Sequence, residues 1–212
     1  ENSNFDQSSK QGKLSDFWNN DFFKSLVPMG FFNYGSLFAI QTLWAGPWLT
    51  RVSGYTPEES AKGLFLLYSS LLFSFLLWGY YIPRFSKNIS DAVKLLRWGA
   101  PLNLIVLVAI ILLGPKAGAI HWAIFGISSI FLSLTQPAVG MAFPLNNAGK
   151  ALTSFNLLLF VGAFVLQWVI GLIIDLGMKI NISEENSFKI AMTFVLLTSF
   201  FSYLFFLFKS KN

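Results

Sequence analysis

Asp, Glu, Lys and Arg are absent from six long stretches of this chain. The stretches cover residues 25–50, 63–83, 98–115, 117–149, 151–174 and 190–208. A helix that crosses the hydrocarbon core of a bilayer needs about 20 largely apolar residues, within a range of roughly 17–25. The pattern therefore predicts six membrane-spanning helices, at 24–50, 60–83, 92–114, 117–141, 149–175 and 188–208.

The composition agrees with a membrane protein and excludes an ordinary soluble domain. Of the 212 residues, 54% are hydrophobic and 12% are charged, whereas soluble domains carry about 25% charged residues. Strands of a transmembrane barrel are about ten residues of alternating polarity, and the apolar stretches here are longer and do not alternate. The predicted fold class is therefore all-α, an integral membrane bundle of six transmembrane helices.

Lys and Arg are unevenly distributed over the predicted loops. When the N-terminus is placed in the cytoplasm, ten of the 15 basic residues fall on the cytoplasmic side. These ten are Lys10, Lys13, Lys24, Arg84, Lys87, Lys94, Arg97, Lys150, Lys209 and Lys211. The positive-inside rule then predicts that both ends of the chain are cytoplasmic. The net charge of +5 follows from this topology, so we expect no nucleic-acid partner.

The two halves of the chain contain a weak internal repeat. The second predicted helix opens with the sequence AKGL at 61–64, and the fifth opens with GKAL at 149–152. Because the second copy starts three helices after the first, an odd number, the two copies would insert into the membrane with opposite orientations. Inverted repeats of this kind are typical of secondary transporters.

Three longer stretches resemble the C-terminal half of a major facilitator superfamily (MFS) transporter. They are FNYGSLFAIQTLWAGPWL at 32–49, GYYIPRFSK at 79–87 and FPLNNAGKALTSFNLLLFVGAFVLQWVIGLIID at 143–175. In the second stretch Gly79, Arg84 and Lys87 match the superfamily's cytoplasmic signature loop. Pro83 and Ser86 stand where that loop has its acidic residue and second glycine, which leaves a conformational role for the loop open.

The resemblance implies a fold, a function and a set of partners. The fold would be two inverted three-helix repeats, with residues 1–21 as a cytoplasmic linker, 22–208 as the six-helix bundle and 209–212 as a cytoplasmic tail. The function would be secondary active transport of a small solute by alternating access, in the inner (plasma) membrane. The partners would be the solute, the lipid bilayer and an N-terminal six-helix half of the same protein.

Polar residues within the predicted spans are candidates for the solute pathway, because such residues are costly unless they face the bundle or water. The candidates are Asn33, Gln41, Trp44, Gln136 and Asn156. The alternative is that the amides pair with neighbouring helices. On that interpretation Trp44 and its neighbour Trp48 anchor the bilayer interface.

Residues that would indicate catalysis or metal binding are scarce. His121 is the single histidine and there is no cysteine, so the sequence offers no metal-ligand set. No Gly-rich phosphate loop ending in Lys-Ser or Lys-Thr occurs. We therefore expect neither an enzyme nor a bound cofactor.

A self-contained six-helix protein, either a channel or an oligomerising membrane subunit, is the alternative to half of a transporter. The polar start of the chain favours a piece of a longer protein. The coding sequence upstream of Glu1 distinguishes the two hypotheses, because six further helices there would support the transporter.

The predicted orientation can be tested with single cysteines, since the chain has none of its own. Cysteines at Ser9 and Ser90 should resist membrane-impermeant thiol reagents in intact cells, because both positions are predicted to be cytoplasmic. A cysteine at Ser183 should react. Labelling in the opposite pattern would show that the orientation is inverted.

Overall fold

The structure, a computed structural model, describes residues 18–210, and throughout that range it contains helices and no strands. We number the helices α1 (21–52), α2 (Pro57–Phe85), α3 (Ile89–Leu113), α4 (Ala119–Met141), α5 (Leu145–Lys179) and α6 (Glu184–Lys209). Of these, α2 to α6 are long and apolar enough to cross a membrane. The described chain is therefore compatible with a multi-pass membrane protein.

Every helix except α4 begins three or four residues before its predicted span, because capping groups set where the helices start. At the start of α2, Thr56 and Glu59 form a capping box, and Pro57 occupies the first turn. The side chains of Asn88 and Ser183 accept hydrogen bonds from the first turns of α3 and α6. Such caps lie in the polar flanks, whereas the charge-free stretches mark only the apolar part of each helix.

Helix α1 is helical over its whole length but is not a regular α-helix. Its α segments alternate with π segments at Met29–Tyr34, Ile40–Trp44 and Trp48–Val52. Pro28 and Pro47 lie within it, and proline removes one backbone donor and crowds the preceding turn. Its π segments distinguish α1 from the other five helices, which contain none.

Helices α1 and α4 each contact several other helices of the bundle. Helix α1 packs against α5 and α6, whereas α4 packs against α2 and α3. Helices α3 and α6 also contact each other, as do α5 and α6. Two apolar clusters fill the interior. One, at the predicted outer end, includes Trp48, Trp122 and Phe188, and the other, at the predicted cytoplasmic end, includes Phe23 and Phe155.

Helices α1 and α5 approach each other closely at two glycines. A Cβ atom on Gly35 would lie 2.8 Å from the carbonyl carbon of Gly162, and one on Gly162 would lie 2.5 Å from the carbonyl oxygen of Phe31. Both contacts are with backbone, which cannot move aside as a side chain can. The absence of side chains at these two positions therefore sets the distance between α1 and α5.

We predict that Gly162→Ala lowers the thermal stability of the purified protein, because the added methyl group must push α1 away from α5. Overpacking of this kind costs about 1–3 kcal/mol. Gly149→Ala is the matched control on the same helix, since nothing lies within 4 Å of a Cβ at that position. Equal melting temperatures for the two variants would contradict this account of the contact.

Candidate solute cavity

A cavity of about 140 Å³ lies where α1, α4 and α5 meet. Its walls carry aromatic rings and two amide side chains, and no charged side chain lines it in the described part of the chain. The lining residues are Tyr34, Phe38, Gln136, Asn156, Leu159 and Phe160. Two of the residues predicted from the sequence, one on α4 and one on α5, therefore share this cavity.

Three rings form the aromatic wall of the cavity. Tyr34 and Phe38 lie one turn apart on α1, with ring centroids separated by 5.3 Å. The ring of Phe160 on α5 meets Phe38 edge to face, with centroids 6.1 Å apart. Such a wall suits the apolar or aromatic part of a small molecule.

The polar wall contains an unsatisfied hydrogen-bond acceptor. The Oδ1 atom of Asn156 is buried and has no hydrogen-bond partner among the described residues. An unpaired buried carbonyl oxygen costs free energy, and the cost is larger inside a membrane, where no water is present to donate a hydrogen bond to it. Asn156 therefore brings an amide with an unpaired oxygen to the lining of the cavity, and the partly buried Gln136 lines the same cavity.

Asn33 lies outside the cavity lining and is used in packing. Its Nδ2 donates to the carbonyl oxygen of Ser199, at 3.0 Å, and to the hydroxyl of Ser202, at 2.6 Å. Both partners are on α6. This geometry is the one expected from interhelical pairing, the alternative to a place in the solute pathway.

Gln41 and Trp44 lie nearer the predicted outer end and do not line the cavity. The indole nitrogen of Trp44 donates to the carbonyl oxygen of Gln167 on α5, at 3.1 Å. The backbone carbonyl of Gln41 accepts a hydrogen bond from Tyr68, at 2.6 Å, while its side-chain Oε1 is buried without a partner in the described structure. Trp48 is fully buried, so it packs in the core and does not anchor the interface.

Two of the loop residues that resemble the MFS signature, Arg84 and Lys87, interact with nearby residues of α2 and α3. The guanidinium of Arg84 stacks 4.2 Å from the ring centroid of Tyr80 and donates to its hydroxyl at 2.9 Å. The backbone N–H of Lys87 donates to Asp91. A Cβ on Gly79 would meet nothing within 4 Å. The role of this loop in conformational change stays a prediction.

Tyr34 and Phe38 were not among the residues expected from the sequence. The candidates that the sequence offered on the first helix were Asn33, Gln41 and Trp44. Asn33 is held against α6 by its two hydrogen bonds, and this packing turns the next residue, Tyr34, toward the cavity. Tyr34 and Phe38, which are four residues apart on the same face of α1, line the cavity. Only the presence of two aromatic residues at that spacing could have indicated it.

Comparisons with known proteins identify no relative of this chain. No protein-family model matches it, and no curated protein or solved structure matches it at a significant level. The resemblance to a transporter family therefore depends on the three stretches of sequence described above. Within residues 18–210, no group of three His, Cys, Asp or Glu side chains is arranged to hold a metal ion.

We predict that only one of two amide-to-leucine substitutions on α1 lowers the free energy of unfolding. Asn33→Leu should lower the free energy of unfolding by about 1–3 kcal/mol, because it removes two interhelical hydrogen bonds that are each worth about 0.6–1.7 kcal/mol. Gln41→Leu should not lower it, since the buried Oε1 has no partner to lose. Unfolding of the purified protein in detergent measures both values. A larger loss for Gln41→Leu would mean that the partners of the two amides have been misassigned.

Proposed function

We propose that this chain is a six-helix half of a secondary transporter, related to the C-terminal half of MFS proteins, that moves a small uncharged solute by alternating access. The observation that carries the proposal is the cavity between α1, α4 and α5, with the unpartnered Oδ1 of Asn156 in its wall. A buried polar group without a partner is a functional candidate when it faces a cavity. The uncharged lining favours a solute without net charge.

The pattern of helix contacts supports an inverted repeat of three helices. If α1, α2 and α3 exchange places with α4, α5 and α6, the contact of α1 with α5 becomes the contact of α4 with α2. In the same way, the contact of α1 with α6 becomes that of α4 with α3, and both members of each pair occur. The symmetry is not complete: α5 and α6 pack more closely against each other than α2 and α3 do.

The repeated sequence at the starts of α2 and α5 agrees with this symmetry. Gly63 on α2 packs against Ala119, the first residue of α4. Its counterpart Ala151 on α5 is buried in the same apolar cluster as Phe23, near the start of α1. Both small residues are buried near the start of their helices, which agrees with the proposed repeats.

The exposed apolar faces of α2 and α5 favour a further set of helices packed beside them. Phe65 and Leu72 on α2 have 75% and 63% of their surface exposed, and Phe164 and Trp168 on α5 have 77% and 65%. Contiguous apolar surface of this kind is covered either by lipid or by other helices. In the proposed twelve-helix protein, the N-terminal half would pack on this side and complete the cavity.

Asn156→Leu and Gln136→Leu should each reduce transport without reducing the amount of protein in the membrane. The expected loss is about tenfold, since a hydrogen bond to the solute is replaced by apolar surface and a factor of ten corresponds to about 1.4 kcal/mol. Uptake of a panel of radiolabelled neutral solutes by cells expressing the full-length protein provides the measurement. Thr153→Leu is the matched control on α5, because its hydroxyl bonds only to its own helix, at Gly149.

A channel is the second candidate function, and a single cysteine at Gln136 separates it from a transporter. Alternating access should expose that cysteine to an impermeant maleimide from the outside in intact cells and from the inside in inverted vesicles, with no ionic current in planar bilayers. A channel would give single-channel currents. A cysteine at the buried Ser199 should stay unlabelled from both sides, and labelling of Gln136→Cys from neither side would contradict both functions.

A further inference from the structure

A second and larger groove lies on the outside of the bundle, between α3 and α6. It has a volume of about 620 Å³ and is lined by Arg97 and Trp98 at one end and by Leu102, Ile105 and Leu207 along its walls. A neighbouring groove of about 330 Å³ shares Ile105 with it and continues along the same two helices as far as Val108. Together they form one continuous apolar groove on the surface of the bundle, which we call the α3–α6 groove.

The length of the α3–α6 groove matches one leaflet of a bilayer. From Arg97 to Val108 the α3 backbone rises by about 16 Å, at 1.5 Å per residue. The hydrocarbon core of a membrane is about 30 Å thick, so the groove spans about half of it. Ile105 and Trp98 have 62% and 80% of their surface exposed, and both project where lipid would lie.

A cation with unused hydrogen-bonding capacity stands at the mouth of the groove. One Nη of Arg97 donates to the hydroxyl of Ser210, at 3.1 Å, whereas its Nε is buried and has no partner in the described range. No carboxylate within residues 18–210 forms an ion pair with it. The hydroxyl of Tyr203 donates to the Arg97 carbonyl, at 2.7 Å, which holds this mouth to α6.

The remaining charges near the mouth are also mostly positive. Lys94 lies one turn before Arg97 on α3, and Lys209 follows the last groove residue of α6. The nearest acid along α3, Asp91, accepts a hydrogen bond from the backbone of Lys87. The mouth therefore attracts an anion, and the apolar walls below it suit a hydrocarbon chain.

We propose that the α3–α6 groove binds one anionic phospholipid, with its phosphate on Arg97 and an acyl chain along α3 as far as Val108. Guanidinium groups bind phosphate oxygens in a fork of two hydrogen bonds, and Trp98 lies at the depth where indole rings meet lipid headgroups. The predicted topology puts this mouth at the cytoplasmic leaflet, which is the anionic one. The inference needs only a multi-pass membrane protein and does not depend on transport.

Native mass spectrometry of the full-length protein in detergent tests the headgroup contact. Dioleoyl phosphatidylglycerol should bind more tightly than dioleoyl phosphatidylcholine, which has the same acyl chains and no net charge. Arg97→Gln should weaken phosphatidylglycerol binding about fivefold, the effect of one basic residue near a lipid surface, and leave phosphatidylcholine binding unchanged. Lys24→Gln is the matched control, because Lys24 lies at the same end of the bundle and pairs with Asp21.

Ile105→Trp tests the acyl-chain contact separately. The indole ring should fill the groove and weaken the binding of both lipids. The fold should tolerate the substitution because Ile105 faces outward. Inorganic phosphate at millimolar concentration should fail to displace phosphatidylglycerol, since it lacks the acyl chain. Displacement by phosphate, or Ile105→Trp without effect, would show that the site takes a free anion and would overturn the proposal.

The headgroup assignment would be overturned if Arg97→Gln and Lys24→Gln retained the same preference for phosphatidylglycerol. Where Arg97→Gln does not fold, Arg97→Lys carries the test, because lysine retains the charge but lacks the planar fork. It should bind phosphatidylglycerol with reduced affinity and still prefer it to phosphatidylcholine. Unchanged affinity in Arg97→Lys, or the loss of any preference for the anionic lipid, would contradict the proposed contact.

Discussion

The hydrocarbon core of a membrane offers no hydrogen-bond partners, and most features of this chain follow from that constraint. Polar side chains in the helices find their partners on neighbouring helices, as Asn33 does on α6. Asn103 likewise donates from α3 to the carbonyl oxygen of Phe125 and the hydroxyl of Ser128 on α4. The first pair of bonds joins helices distant in sequence and the second joins consecutive helices, and both hold neighbouring helices together. An unpaired group such as Asn156 Oδ1 therefore draws attention to the cavity beside it.

Irregular backbone in α1 and α4 accompanies this pattern. Helix α1 contains three π segments, and α4 contains a 3₁₀ segment at Ser129–Leu134. The hydroxyls of Ser129 and Ser133 bond to carbonyl oxygens three residues earlier in their own helix. Non-α turns and proline disturb the regular spacing of helix faces. The two irregular helices are also the ones that meet α5 around the cavity.

The cavity and the α3–α6 groove have different chemistry because they face different surroundings. The cavity is small, uncharged and bordered by aromatic rings and amides, which suits a neutral molecule within the bundle. The groove is larger, apolar along its length and cationic at one end, which suits a lipid at its surface. Helices α1, α4 and α5 form the first site, whereas α3 and α6 form the second. A substitution in one site can therefore be made without altering the lining of the other.

The five apolar helices α2 to α6 followed from the sequence, since bilayer thickness sets how long a charge-free stretch must be. Gln136 and Asn156 were also predictable, because amides in such stretches are costly without a purpose. Tyr34 and Phe38 were not, because the face that α1 turns to the cavity is set by its packing against α6. The pairing of Asn33 with Ser199 and Ser202 depended on α1 and α6 lying side by side. Only the tertiary structure decides such contacts, because local spacing holds no information about which distant helix becomes the neighbour.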